Sequence, residues 1–235
     1  MATRTFRPKH LVRARWTRLD DCGVPLYDDE CTYYVRDCMV SFTWEDQFED
    51  PEEFALRCDN GRLQFYDRTE PTFKFTQGTL SLNDIDPIVT WMMMGVDQEV
   101  DAQSQDVVGF RPNASAWGVP KFALELWAAL ATRAGTPACP EGVQEWAYLL
   151  FPFNRNGRWD TAPTASNNTD AVAIMFDAML GGSWGSGPWP VVGDDTGAAS
   201  PLTDPMDGDQ PYLVRTTTIA PPEVTDGCMP LAQPS

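Results

Sequence analysis

One histidine, His10, occurs in the whole chain, so any mechanism that moves a proton onto an imidazole has a single candidate. The run Gly181-Gly182-Ser183-Trp184-Gly185 satisfies the letters of the nucleophile elbow G-x-S-x-G. That elbow works when a strand delivers the serine, a helix follows it and a histidine lies downstream. Here a Gly/Pro-rich stretch follows and His10 lies far upstream, so the run reads as a loop. Asp204, Asp207 and Asp209 place three carboxylates around the turn residue Gly208, as a calcium loop would. They lack the alternate-ligand spacing and the terminal glutamate of an EF-hand. Asp20/Asp21 and Asp194/Asp195 read more simply as turn and cap residues. Acids are numerous enough to supply a glycosidase pair, but such a pair is defined by its separation in space, which spacing along the chain does not give. Asn113-Ala-Ser115 and Asn167-Asn168-Thr169 match glycosylation acceptors, which matter in a secretory context. The expectation is a chain that is not an enzyme, with no catalytic residues, no bound metal and no cofactor.

Six cysteines, Cys22, Cys31, Cys38, Cys58, Cys139 and Cys228, include no C-x-x-C pair. They read as small buried thiols of a reducing compartment, with a zinc site or disulfides as alternatives. Cys22 with Cys31, across the turn at Gly23–Pro25, is the first pair a disulfide would join.

Charge is unevenly placed. Residues 1–18 hold six bases, Arg4, Arg7, Lys9, Arg13, Arg15 and Arg18, and no acid, whereas residues 20–59 hold thirteen acids against two bases. A positive end on a negative body suits head-to-tail association of identical copies, which propagates as a stack when the operation does not close a ring. The net charge of −17 argues against a surface that grips nucleic acid, because phosphate neutralisation needs Lys and Arg in excess. It suits a surface along which DNA slides without sticking. With 43% apolar and 22% charged residues, the chain has the composition of a packed globular protein. No apolar run is long enough for a transmembrane helix, and the start has neither the apolar core of a signal peptide nor, given its strand-like alternation and Trp16, the character of a transit peptide.

The elements that would position these groups are mostly strands. Twenty Pro and seventeen Gly break the chain into short runs, and alternation predicts strands over 11–18, 31–36, 38–44, 62–67, 72–82, 105–111, 121–130, 146–153, 170–180 and 211–218. Phe122, Leu124 and Leu126 alternate with Ala123, Glu125 and Trp127 in the clearest of them. Residues 84–94 are the helix candidate: Asp84 or Asp86 caps it, Pro87 fits its first turn, and Gly95 stops it. Its Met92-Met93-Met94 run beside Trp91 predicts burial on most sides. Residues 51–57 suggest a short acidic helical turn. Stretches 181–188 and 193–211 read as loops, and the Pro-rich end 221–235 as an extended or disordered arm. The organisation expected is a basic arm or first strand over 1–18, a β-rich domain over 19–220 and a C-terminal arm over 221–235.

Residues 11–27 (LVRARWTRLDDCGVPLY) with 31–35 (CTYYV) resemble the opening of major tail proteins of long-tailed bacteriophages that infect actinobacteria. Residues 108–110 (VGF), 122–127 (FALELW), 146–153 (WAYLLFPF), 156–158 (NGR), 217–222 (TTIAPP) and 228–231 (CMPL) are similar in order and spacing. The likeness spans most of the chain, is most distinctive at its two ends and is weaker over 39–70 and 160–210. It implies a mainly β fold, a β-sandwich or partly closed barrel with one flanking α-helix and extended arms at both ends. It also implies a structural virion protein whose homohexameric rings stack into a non-contractile tail tube that conducts DNA. Partners would be further copies, the tape measure, tail terminator and tail-tip proteins and DNA in transit, with no membrane insertion. The place of action would be the virion tail, after assembly in the bacterial cytoplasm. A tail terminator or head–tail connector is the alternative within that class. An acidic carbohydrate-binding module or glycosidase is the alternative outside it.

On this reading Arg4, Arg7, Lys9, Arg13, Arg15 and Arg18, with Asp20 and Asp21, are expected at contacts between subunits or rings. Glu125, Asp160, Asp170 and Asp177 are the candidate acids of the channel wall, ordinary solvent-facing acids being the plainer alternative.

Overall fold

The computed structural model describes residues 7–27, 30–57, 62–113, 120–130, 145–161, 163, 171–193 and 197–233. In chain order the elements are β1 (Pro8–Leu19), β2 (Tyr33–Arg36), β3 (Met39–Phe48), β4 (Glu53–Arg57), β5 (Leu63–Arg68), β6 (Phe73–Leu82), α1 (Pro87–Met94), β7 (Asp97–Val100), β8 (Val107–Arg111), β9 (Lys121–Leu130), β10 (Trp146–Thr161), β11 (Val172–Ala178), β12 (Val192–Gly193), β13 (Ala199–Ser200) and β14 (Leu213–Thr217). The large sheet is antiparallel and runs β2-β1-β9-β10-β11-β6-β3, with β14 also on β10. The fold is mainly β, a β-sandwich with one helix, as the sequence predicts.

β10 makes the sandwich from one sheet. Its first half pairs β9 on one side and β14 on the other, and from Asn154 onward β11 takes β14's side. The switch falls between Leu150 and Asn154, at a register irregularity against β9, and a second irregularity containing Asn156 (φ 59°) and Gly157 follows against β11, the local bend that bulges impose on a strand. The two halves close over a core of aromatic rings: Phe151 lies 5.1 Å from Phe42 and 6.0 Å from Phe176, and Phe122 lies 5.6 Å from Phe176.

Helix α1 closes the core between them. Asp86 caps it by accepting from Ile88 N and Val89 N, Pro87 opens it, and Gly95 ends it in a left-handed conformation (φ 74°). Met92, Met93 and Met94 are all buried. The helix end sits on the β10 bend so closely that a Cβ at Gly157 would stand 1.9 Å from the Met93 carbonyl oxygen. Gly157→Ala should therefore cost about 1–3 kcal/mol through forced backbone displacement, read as a lowered denaturation midpoint at unchanged m.

A second apolar layer covers the other face. Trp184, Val191, Val192, Leu202 and Met206, from the long segment between β11 and β14, bury Trp127, Tyr148, Leu150 and Phe153. The Gly181–Gly185 run belongs to this layer: a Cβ at Gly182 would stand 2.5 Å from the Phe153 Cβ, and Trp184 is buried. Gly182 thus serves packing, while Gly181 (φ 92°) and Gly185 (φ 60°) hold left-handed turns.

Several expectations are corrected. Residues 51–57 contribute strand β4 and no helical turn, because Glu53–Arg57 has a cross-strand partner in β5, and pairing overrides local preference. β9 is buried on both faces, so its alternation does not separate core from solvent. Cys31 pairs with Cys228, 197 residues away, and not with Cys22, which is exposed with Cys38. Cys58 and Cys139 lie outside the described residues. The Pro-rich end is extended and is tied to the β2 edge through that disulfide and the bridge Tyr33↔Met229. Among the described residues no helix is long and apolar enough to cross a membrane.

Candidate functional site

Of the bases at the start of the chain, Arg13, Arg15 and Arg18 are committed inside it. β1 pairs with β9 in a register that sets Arg15 opposite Glu125. The guanidinium meets the carboxylate with two bonds, Nε to Oε2 at 2.6 Å and a terminal nitrogen to Oε1 at 2.7 Å. Arg15 is 4% exposed and Glu125 1%, so neither reaches solvent in the single chain. The Tyr148 hydroxyl donates to Glu125 Oε1 at 2.6 Å. Burial, then the Glu125 charge, pushes the Tyr148 phenol well above its ordinary value, so it keeps the proton it donates. Arg15 also stacks 4.1 Å from the Trp189 ring centre and 5.1 Å from that of Trp127, and Trp189 Nε1 donates to Thr17 Oγ1. This cluster clamps the covering layer to the sheet. Arg15 as a subunit contact and Glu125 as a channel-wall acid are both corrected: facing charges on adjacent strands neutralise each other under that layer.

Arg13 donates to the Pro222 carbonyl at 3.1 Å and to Asp37 at 3.2 Å. Arg18 donates to the Cys31 carbonyl at 2.8 Å and lies 4.7 Å from the Trp91 ring centre. Both therefore make contacts within the chain where contacts between copies were expected. Asp20 accepts from Cys22 N and Val24 N, which closes the turn after β1. Asp21 pairs with Lys121, and that hydrogen bond holds its carboxyl below the usual range. Asp177 is buried and accepts from Asn156 Nδ2 at 2.9 Å and Arg158 at 3.2 Å, so in the single chain it is no solvent-facing acid. Arg7, Lys9 and Asp160 are exposed. Arg4, Asp170, Asp194 and Asp195 lie outside the described residues, as does the Asn167-Asn168-Thr169 acceptor. Among the described residues no three His, Cys, Asp or Glu side chains gather as a metal site, and Asp204, Asp207 and Asp209 form none.

A different surface emerges from the segment where the charge pattern alone drew attention. β3, β4, β5 and β6 make one long β-ribbon. The β3–β6 ladder ends at Phe48↔Phe73 and the β4–β5 ladder begins at Glu53↔Arg68. Glu49 N donates to the Thr72 carbonyl and Thr69 N to the Glu52 carbonyl across the gap. Pro51 and Pro71 sit in that gap, where residues without an N–H interrupt a ladder. At its base the ribbon packs Phe42 on Phe151 and Phe176. An extra residue of β6, Lys74, between the pairs Gln47↔Phe75 and Phe48↔Phe73 brings Phe73 beside Phe48, 5.9 Å ring to ring.

Farther out, β4 and β5 carry an exposed apolar cluster. Phe54, Leu56, Leu63 and Phe65 are 59%, 46%, 52% and 51% exposed, and the Phe54 and Phe65 rings are 6.0 Å apart. Glu49, Asp50, Glu52, Glu53, Asp67 and Glu70 lie along the same ribbon, all exposed, and outnumber its exposed bases Arg62, Arg68 and Lys74. The ribbon's cross-strand ion pairs are loose, Arg68–Glu53 at 3.6 Å and Lys74–Glu49 at 3.9 Å. The candidate site is thus an acidic arm with an apolar face, not a cleft. Two features of the sequence mark it: alternating Phe54/Leu56 against Phe65, and Pro51 and Pro71 at the foot of its two strands. Tyr148, Trp189 and Lys121, the partners that commit the charged residues, carry no such local signal.

No family model matches the chain, and no curated protein matches it in sequence.

Proposed function

We propose that the chain is a self-assembling structural protein, a tail-tube subunit whose copies form rings that stack into a conduit for DNA. The observation that carries this reading is the ribbon: beyond the part that packs Phe42 on the core it carries an exposed apolar cluster, Phe54, Leu56, Leu63 and Phe65. Exposed aromatic and aliphatic side chains grouped on one face mark a contact surface, and an excess of acids along the ribbon selects a basic counterpart. Arg7 and Lys9, exposed at the start of β1, supply one on a second copy. The charge step is then an assembly device carried by fewer residues than the composition suggests, with Arg13, Arg15 and Arg18 spent inside the subunit. The resemblance at both chain ends adds the tube to the general idea of self-assembly, and the net charge of −17 suits a wall that DNA passes without binding. The tape measure, terminator and tail-tip proteins are the further partners this reading implies, in the virion tail.

A second reading, an acidic carbohydrate-binding module, draws on the Cys31–Cys228 disulfide, a bond typical of oxidising compartments. Electron microscopy of the concentrated protein decides between them. Long polymers of uniform diameter are expected. A monomer that stays dispersed at high concentration, even on a tail-tip template, and whose Trp emission responds to glycans would sink the tube reading.

A further inference from the structure

After β14 the chain passes through Pro221 and Pro222 and runs along the outer edge of β2. Tyr33 N–H donates to the Met229 carbonyl at 2.9 Å, and Met229 N–H returns a bond to the Tyr33 carbonyl at 2.8 Å. Thr225 N–H donates to the Val35 carbonyl at 3.1 Å, and Val35 N–H donates to Thr225 Oγ1 at 3.1 Å. The N–H and carbonyl of both Tyr33 and Val35 are thereby engaged by this strap. Its own grip is slight: of residues 222–231, Leu231 is the buried one. Polar bonds add to it, from Arg13 Nε to the Pro222 carbonyl, from Thr32 N to the Met229 carbonyl and from Leu231 N to Thr32 Oγ1, and the one covalent tie is the Cys31–Cys228 bond, with Cα atoms 5.1 Å apart.

We propose that the strap is a redox-gated, exchangeable cover. With the disulfide closed, it stays on its own β2. With the disulfide reduced, it leaves, and the vacated edge takes the strap of a second copy. That occupant needs no new complementarity, because the same residues make the same bonds, and exchange of an identical end element is a low-cost route to association. An open edge with unpaired N–H and carbonyl groups is also a template for added strands. The gate opens by thiol–disulfide exchange with a dithiol reductant. Its thiolate attacks one sulfur of the cystine, forming a mixed disulfide and releasing the other cysteine, which takes up a proton. The second thiol of the reductant then displaces the remaining cysteine, which is protonated in turn. Two electrons pass to the cystine, and the reductant leaves as its own disulfide. The inference stands on the strap and does not rest on the tube reading.

Two variants test it, Cys31→Ser and Cys228→Ser, each also carrying serine at positions 22, 38, 58 and 139, with a mass tag on one. Neither alone can close the native bond. Mixed under dithiol and then oxidised, they should form a disulfide-linked heterodimer in about tenfold excess over either homodimer on a non-reducing gel. Heterodimer no more abundant than the homodimers, or none, overturns strap exchange. A second measurement uses the unmodified chain, comparing amide hydrogen exchange with and without dithiol. Protection at Tyr33, Val35, Thr225 and Met229 should fall about tenfold or more while β9 and β10 hold theirs. Unchanged strap protection, or loss in step with β9 and β10, overturns the gate.

Discussion

Replacing Glu125 with alanine is expected to remove about 3–5 kcal/mol of unfolding free energy, the cost of stranding one member of a buried ion pair. The Arg15 guanidinium would keep its place under Trp189 without a counter-charge, and the Tyr148 hydroxyl would lose its acceptor. Equilibrium urea unfolding at constant m measures the loss. A triple replacement, Arg15→Met with Glu125→Leu and Tyr148→Phe, should recover most of it, because matched apolar groups need no compensation there and no buried hydroxyl is left without its acceptor. A loss below about 1 kcal/mol in the single variant would mean that the pair behaves like an exposed one, and the clamp on the covering layer would have to be abandoned. The same physics changes how the basic start is tested. Reversing charge at Arg15 would unfold the subunit, so the informative reversals are at Arg7 and Lys9.

The ribbon variant Phe54→Ser/Leu56→Ser/Phe65→Ser should abolish polymer formation and leave the monomer intact. These side chains are about half exposed already, so covering them gains roughly 1 kcal/mol each. Losing three weakens each contact between copies by on the order of a hundredfold, and repetition around an assembly multiplies the effect. The monomer should change by no more than about 0.5 kcal/mol per site, as for other surface substitutions. Sedimentation velocity gives the assembly state and thermal unfolding of the dilute protein gives the stability. Polymers of normal length from the triple variant would remove the ribbon from the assembly surface.

Both predictions concern residues whose importance is legible in the sequence to different degrees. The ribbon is legible in part: 62–67 and 72–82 alternate and Pro51 and Pro71 are short-range signals, whereas 51–57 reads locally as a helical turn and becomes a strand through its pairing with β5. What hides it is that exposed and buried apolar strips alternate identically: Phe42 reaches the core and Phe54 does not. Arg15 and Glu125 carry the opposite lesson. Each sits in a well-formed strand, yet their meeting needs a β1–β9 register spanning 110 residues, and nothing local specifies it.

The residues by themselves determine the β class, most strand positions and a helix within 84–94 that Gly95 stops, because pleat periodicity and capping act within a few residues, while the choice of Asp86 over Asp84 as its cap comes from the structure. Tertiary structure alone decides what each charge and thiol does. A carboxylate's role depends on whether it is desolvated and what faces it: in the single chain Asp160 meets water, while Glu125 meets a guanidinium. A cysteine's partner depends on which ends of the chain the sheet brings together, and β2 brings Cys31 to Cys228 across 197 residues.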